Sequence, residues 1–388
     1  MIYIKNAELC TPFRVIKNSH LVIYGKKIKK ILSRPFKNIP TDAVVIDAKD
    51  NIICPGLIDV HLQGAGGYDF LDGTPMAIEK ISQTLARFGT TSYLATTVFK
   101  NGANRHIENI VRVQGSGVRG QGSELLGIHL EGPFVNPMKK GMIRSDGIKK
   151  CSRGYFNKVL KVSGGKLRMM TIAPELKGAI KIIKGLKAKK IIVSFGHSDA
   201  TYEEAQKGIK AGINHATHVF NAMRPLHHRE PAGLAAVLMD DNVSVQLISD
   251  GVHIHPAIIS LIIKLKGIKN IVLITDSMSS QGLPDGKYIY DRWEYDSKAG
   301  ACRYKDGTLI GTALPLNKMI QRFIKFANVT LCEAVGAATI NPARVLGIDG
   351  RKGSIEEGKD ADLVVIDKDF NVTATIIGGK IVYEPSPS

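Results

Sequence analysis

The sequence predicts an α/β protein in which a (β/α)8 barrel carries a small β domain assembled from both chain ends. Three observations lead there. Short apolar, strand-like runs alternate with helix-like periods over about 280 central residues. The stretches before residue 53 and after residue 353 hold only β-like runs and turns. Polar residues collect at the ends of the central runs, and a closed parallel barrel gathers such ends on one face. A doubly wound open sheet is the alternative, but no G-x-G-x-x-G opens a helix here.

Taken in order, residues 2–4, 19–24 and 44–47 are β-like, with Gly25 and Pro40 between them. Pro55-Gly56 is a turn that separates this N-terminal region from the central one. Residues 57–61 read as a short buried strand, and His61 and Gln63 alternate with Leu62, so both point the same way. Gly64, Gly66 and Gly67 leave the backbone bare just beyond. Helices are expected at 78–88, 179–187 and 202–211. Strands are expected at 92–97, 125–130, 169–173, 191–195, 215–220, 243–248 and 271–274. Residues 353–367 are turn then strand, and 373–383 give two more strands around Gly378-Gly379. Short strands at both ends, none able to stand alone, predict that the termini pair with each other. The division expected is residues 1–53 with 345–388 for the β domain and 54–344 for the barrel.

Composition narrows the function. With 44% hydrophobic and 23% charged residues over 388 positions, the chain has the make-up of a globular enzyme with a large core. No apolar run reaches the roughly 18 residues of a membrane span, and the first residues lack a signal-peptide layout. Five scattered cysteines without a C-x-x-C pair predict free thiols in a reducing cytoplasm. The net charge of +18 raises a non-catalytic nucleic-acid-binding protein as a rival. Against it, the lysines fall in short scattered runs, and aromatic residues, only 6%, do not interleave with them. A basic exterior around an anionic substrate is preferred; a basic composition without functional meaning fits equally.

Glu131, His197 and His218 stand at or near the ends of separate barrel runs. One carboxylate and two imidazoles with an open position are the composition of catalytic zinc. Asp250, His253, Thr275 and Asp276 end two further runs. His129, His215 and His255 are expected to be hydrogen-bonded in the core rather than metal-bound. On one strand His215 and His218 would face opposite sides, so they cannot both be ligands without a bend. His20, His106, His227 and His228 lie among loop or surface residues.

With these residues in view, the chain resembles the amidohydrolase superfamily and, within it, the family of N-acetylglucosamine-6-phosphate deacetylases. Residues 55–67, 129–136, 196–201, 217–223, 250–253, 275–276 and 341–358 match in order and spacing. The last stretch marks only the superfamily. The resemblance implies a metal-dependent hydrolase barrel with a β-sandwich from both termini, usually dimeric. It implies hydrolysis of the N-acetyl group of N-acetylglucosamine 6-phosphate; the galactosamine epimer or another N-acetyl sugar is the alternative. By position, Glu131, His197 and His218 match metal ligands and Asp276 the catalytic acid/base. Asn221, Ala222, Arg229 and His253 match sugar-phosphate contacts, Arg229 as a residue that reaches a neighbouring subunit's site. Leu309-Ile310-Gly311 match a backbone segment along the sugar, and Met142 joins the substrate wall. Two departures stand out. At the first strand the chain has His61-x-Gln63, between the His-x-His of two-metal members and the Gln-x-Asn of one-metal members. One zinc per subunit is expected, with His61 the candidate for a second site. Ile143 stands where many members have a histidine that polarises the acetyl carbonyl; a neighbour such as Arg144 or His61 is expected to take over.

Overall fold

The computed structural model describes residues 1–37, 39–49, 51–115 and 122–385. Eight parallel strands follow one another around the barrel in chain order: Leu57–Leu62, Thr90–Thr97, Glu124–Glu131, Leu167–Ile172, Ile192–Phe195, His215–Ala216, Ser244–Leu247 and Ile271–Leu273. A helix follows each strand, from Pro75–Arg87 after the first to Leu316–Ala327 after the last. Local chemistry starts several of them. Thr74 accepts from Ala77 N–H with Pro75 at the first helical position, and Thr201 and Glu204 cap each other reciprocally. The predicted (β/α)8 barrel is therefore present.

The barrel closes where its first and last strands meet. Asp276 N–H donates to His61 O at 2.9 Å, and Gln63 N–H donates to Ser277 O at 2.8 Å. These two bonds set the end of the first strand beside the residues just after the eighth, although they lie far apart in sequence. The strands are largely buried on both faces, and most read as short apolar runs, with Thr90–Thr97, rich in buried Thr, the exception.

Both termini share one sheet. The strand Ile2–Cys10 pairs antiparallel with Val15–Tyr24, and parallel with Val44–Asp47 along one half and Ile52–Pro55 along the other. Ile52–Pro55 in turn pairs with Leu363–Ile366, which leads to Val372–Ile377 and Lys380–Tyr383. This sheet has its own core, with Ile4, Leu9, Leu21, Ile23, Ile53, Leu363 and Ile376, separate from the barrel core. Among the described residues no helix is long and apolar enough to cross a membrane.

Three local expectations need correction. The run at 215–220 is a strand only at His215–Ala216, because the backbone turns left-handed at His218 (φ 22°) and Phe220 (φ 75°). Between the eighth strand and its helix the alternation is interrupted by four antiparallel strands, Gly286–Tyr290, Trp293–Lys298, Ala301–Tyr304 and Leu309–Thr312. His20 and His106 are buried rather than on the surface. His20 Nδ1 lies 2.9 Å from Tyr3 Oη, and His106 Nε2 lies 3.0 Å from Val98 O.

Candidate metal centre and active site

The carboxyl ends of the barrel strands converge on Glu131. Its Oε1 lies 2.8 Å from His197 Nε2, 2.9 Å from His218 Nε2 and 3.7 Å from His61 Nε2. The two imidazole nitrogens of His197 and His218 are 3.1 Å apart. Gln63 Nε2 donates to the other carboxylate oxygen, Oε2, at 3.1 Å. His61 and Gln63 thus both face Glu131, as their alternation along the strand requires.

Hydrogen bonds on the far side of the rings decide what faces inward. His197 Nδ1 donates to Lys139 O at 2.7 Å, and a carbonyl can only accept, so Nδ1 carries the proton. His61 Nδ1 donates to Gln246 Oε1 at 2.8 Å. That oxygen also accepts from His218 N–H at 3.2 Å, which fixes it as the oxygen of the amide. His61 Nε2 is then fully buried without a hydrogen-bond partner, 3.2 Å from Asp276 Oδ1, which is itself buried and unpartnered. Lone pairs of two histidines and two carboxylates turned toward one another are costly unless a cation or protons lie among them. The donor set of His61, Glu131 and His218 lies within 4.8 Å, and His197 closes on the same carboxylate. The residues present fit a divalent metal.

The electrostatics have the same origin. Burial pushes the Glu131 pKa up, but His197 and His61 beside it win and hold the carboxyl well below its ordinary range. Burial works against charge on His218, and Glu131 reverses it, leaving the pKa raised. Burial drives His215 down to about 3 and His129 well below its usual value, so both are neutral. Neither belongs to the centre: His129 Nε2 lies 2.9 Å from Thr171 Oγ1, and His215 Nδ1 lies 2.6 Å from Ser244 Oγ. His255, expected in the core, is instead exposed, where its Nδ1 accepts from Ala257 N–H at 3.2 Å and caps the helix Pro256–Lys266.

Four non-glycine site residues have left-handed backbones: His197 (φ 47°), His218 (φ 22°), Ala222 (φ 51°) and Asp276 (φ 46°). Such conformations persist where the surroundings over-determine them, and they cluster at functional sites. At Asp276 the enforcement is visible. Its N–H is held by His61 O, and its carbonyl accepts from Thr312 N–H at 3.0 Å. Gly311 makes room for that carbonyl: a Cβ there would lie 2.3 Å from Asp276 O, and its own φ is +139°. Gly311→Ala should therefore displace Asp276 and lower kcat by about a hundred-fold, the typical cost of a misplacement near 1 Å. Steady-state kinetics checks it; an unchanged kcat would show that Asp276 tolerates the shift.

The remaining predicted residues lie at five places. His253 Nδ1 lies 2.7 Å from Asp250 Oδ2, leaving its Nε2 buried and without a partner. Asn221 and Ala222 form the turn after His218, where Asn221 Nδ2 donates to His218 O and Val219 O, 3.3 Å each. Met142 packs against the cluster of Met278, Tyr290, Tyr295, Cys302 and Ile310, so it borders the same core as the strand Leu309–Thr312. Arg229 is exposed, with Nη1 2.7 Å from His228 Nε2, and Glu230 pairs instead with Arg224 at 3.4 Å. Ile143 is buried with Val98 and Val135, and Arg144 is engaged by Asp146 at 3.2 Å and Asp291 at 3.7 Å. Of the two neighbours expected to replace a histidine there, His61 is the one inside the centre.

Sequence reasoning missed two buried polar residues. Asp59 accepts from His61 N–H at 3.1 Å and from Thr275 Oγ1 at 2.6 Å, and burial pushes its carboxyl up to about 7. Gln246 is the second. Each stood in a mostly apolar run beside one other polar residue, Asp59 with His61 and Gln246 with Ser244, which was the available signal.

Comparison with known proteins agrees with this picture. The pattern of the Amidohydrolase family matches residues 52–382. The chain is 35% identical over 385 residues to N-acetylglucosamine-6-phosphate deacetylase of Bacillus subtilis (strain 168), covering 98% of this chain and 97% of the relative. It is 35% identical over 343 residues to N-acetylgalactosamine-6-phosphate deacetylase of Escherichia coli O157:H7, covering 88% and 90%. The crystal structure of N-acetylglucosamine-6-phosphate deacetylase from Pasteurella multocida superposes with a TM-score of 0.90 at 31% identity, covering 98% of this chain and 99% of that one.

Proposed function

The chain belongs to the amidohydrolase family, and on that premise we propose that it hydrolyses the acetamide of N-acetylglucosamine 6-phosphate, releasing acetate and glucosamine 6-phosphate. The observation that carries this is the convergence of Glu131, His197, His218 and His61 beside Asp276 at the carboxyl face of the barrel. Glu131, His197 and His218 would hold one zinc ion, with His61 the candidate for a second, and the ion would supply Lewis acidity toward the amide carbonyl and toward water.

The residues of the chain do the rest. Asp276 takes the proton of the attacking water at its carboxylate and delivers it to the leaving nitrogen. His253 Nε2 and the turn at Asn221 and Ala222 bind the sugar phosphate. Met142 and the backbone of Leu309, Ile310 and Gly311 line the sugar. Arg229 supplies a planar fork suited to phosphate. Its exposure supports a homodimer in which it serves the neighbouring subunit's site. We also read residues 1–53 with 345–388 as one domain and 54–344 as the catalytic barrel. The five unpaired cysteines support a cytoplasmic setting.

The test is acetate release from a panel holding N-acetylglucosamine, N-acetylgalactosamine and their 6-phosphates. The Escherichia coli relative named for the galactosamine epimer makes that sugar the second reading. Preference for it by ten-fold or more in kcat/KM would replace the first. On the same panel, Arg229→Ala should raise KM for the phosphorylated sugar about ten- to hundred-fold, since a charge-assisted hydrogen bond contributes roughly 1.5–3 kcal/mol. Equal losses for both sugar forms would remove Arg229 from phosphate binding.

A further inference from the structure

We propose that Gln246 is a positioning residue that sets which nitrogen His61 turns to the centre and holds His218 in its left-handed backbone. The proposal rests on the metal-centre reading above. Gln246 lies in the strand Ser244–Leu247 and is fully buried. Its side-chain oxygen accepts two donors from two other parts of the barrel: His61 Nδ1 at 2.8 Å, on the first strand, and His218 N–H at 3.2 Å, beyond the sixth. Its backbone carbonyl accepts a third, Val219 N–H, at 3.0 Å. The amide nitrogen faces Met169 Sδ at 3.4 Å, a weak acceptor.

The orientation of the amide is set by these partners. A backbone N–H can only donate, so the group facing His218 N–H must be the oxygen. The same oxygen faces His61, so His61 Nδ1 must hold the proton. Its Nε2 then presents a lone pair toward Glu131 and Asp276. Without the amide oxygen either nitrogen could take the proton, and the ring could rotate. The second contact has a separate effect. The His218 N–H is buried at a residue whose φ of 22° few residues adopt, and Gln246 satisfies it. One side chain therefore aligns two members of the centre contributed by different strands.

The experiment measures metal affinity directly. Gln246→Met keeps length and apolar volume but removes the oxygen, and Gln246→Glu keeps an oxygen in place. Zinc affinity of each purified protein is measured by competition with a chromophoric chelator. Gln246→Met should bind zinc about 10–100-fold more weakly, the usual cost of losing an outer-shell partner. Gln246→Glu should recover to within a few-fold. The sugar KM should stay unchanged while kcat falls in the Met variant. In a His61→Ala background, Gln246→Met should cost less than in the wild type, because part of its task is gone. If Gln246→Met fails to fold, Gln246→Asn carries the same test, since the shortened amide cannot reach both donors. Zinc affinity within two-fold of wild type in the Met or Asn variant, or no recovery in the Glu variant, would overturn the proposal. The wild type's acetate assay stands apart: no acetate with the expected zinc affinities would remove the deacetylase reading and leave Gln246 in its role.

Discussion

Asp276→Asn should lower kcat by about 10²–10⁴-fold while the protein keeps its full metal content, the range expected for loss of a general acid/base. The substitution is chosen so that little else changes. Asparagine matches aspartate in shape and, like it, tolerates the left-handed backbone found at this position. The bonds from Asp276 N–H to His61 O and from Thr312 N–H to Asp276 O involve only backbone and survive. What disappears is the capacity to take up a proton 3.2 Å from His61 Nε2. Kinetics on N-acetylglucosamine 6-phosphate together with elemental analysis decides the matter. Near-normal turnover would remove Asp276 from proton transfer; metal lost along with activity would make it a ligand instead.

Glu131→Gln should cost metal and activity together, and by more than the roughly 10–100-fold that an outer-shell partner carries. Glu131 is 1% exposed and is the carboxylate that His197, His218 and His61 all face. A neutral amide there takes the one charged oxygen donor from the group of imidazoles and leaves the cation held by weaker, uncharged ligands. Stripping metal from the wild type with a chelator should lower kcat as far as the substitution does, and adding zinc back should restore it. The variant should not respond to added zinc. Thermal unfolding provides an independent reading. A ligand at a thousand times its Kd stabilises by about 4 kcal/mol, so chelation should lower the wild-type Tm and leave the Tm of Glu131→Gln in place. A variant with full metal content would exclude Glu131 as a ligand.

The barrel was legible because strands buried on both faces leave a strong apolar signal, and helices between them a contrasting period. The grouping of Glu131, His197, His218 and Asp276 was legible because polar residues at strand ends gather on one face of a barrel. The alternation of His61 and Gln63 even gave their common direction. What escaped depended on contacts over long sequence distances. Residues 215–220 have strand-forming composition, yet the chain turns at His218, whose N–H meets Gln246 Oε1 from another strand. His20 looks like a surface residue until Tyr3 is placed against it. Gln246 gains meaning only from His61, far away in the sequence. Of the four strands from Gly286 to Thr312, the first three carry charged residues at exposed positions and the fourth is only Leu-Ile-Gly-Thr, so none leaves a strong apolar signal.

The shared terminal sheet has a consequence for how the chain is made. Ile52–Pro55 finds its partner in Leu363–Ile366, which leaves the ribosome roughly 300 residues later, about 15–60 s at ordinary elongation rates. Throughout that interval the first strands have a hydrophobic face with nothing to cover it, and one open strand edge. The barrel strands, emerging in their spatial order, can dock as they appear. The pairing of Ile52–Pro55 with Leu363–Ile366 therefore has to wait until the whole barrel has been made. Until then the N-terminal strands are a natural client for chaperones, and a premature stop before residue 363 leaves their core permanently unfinished.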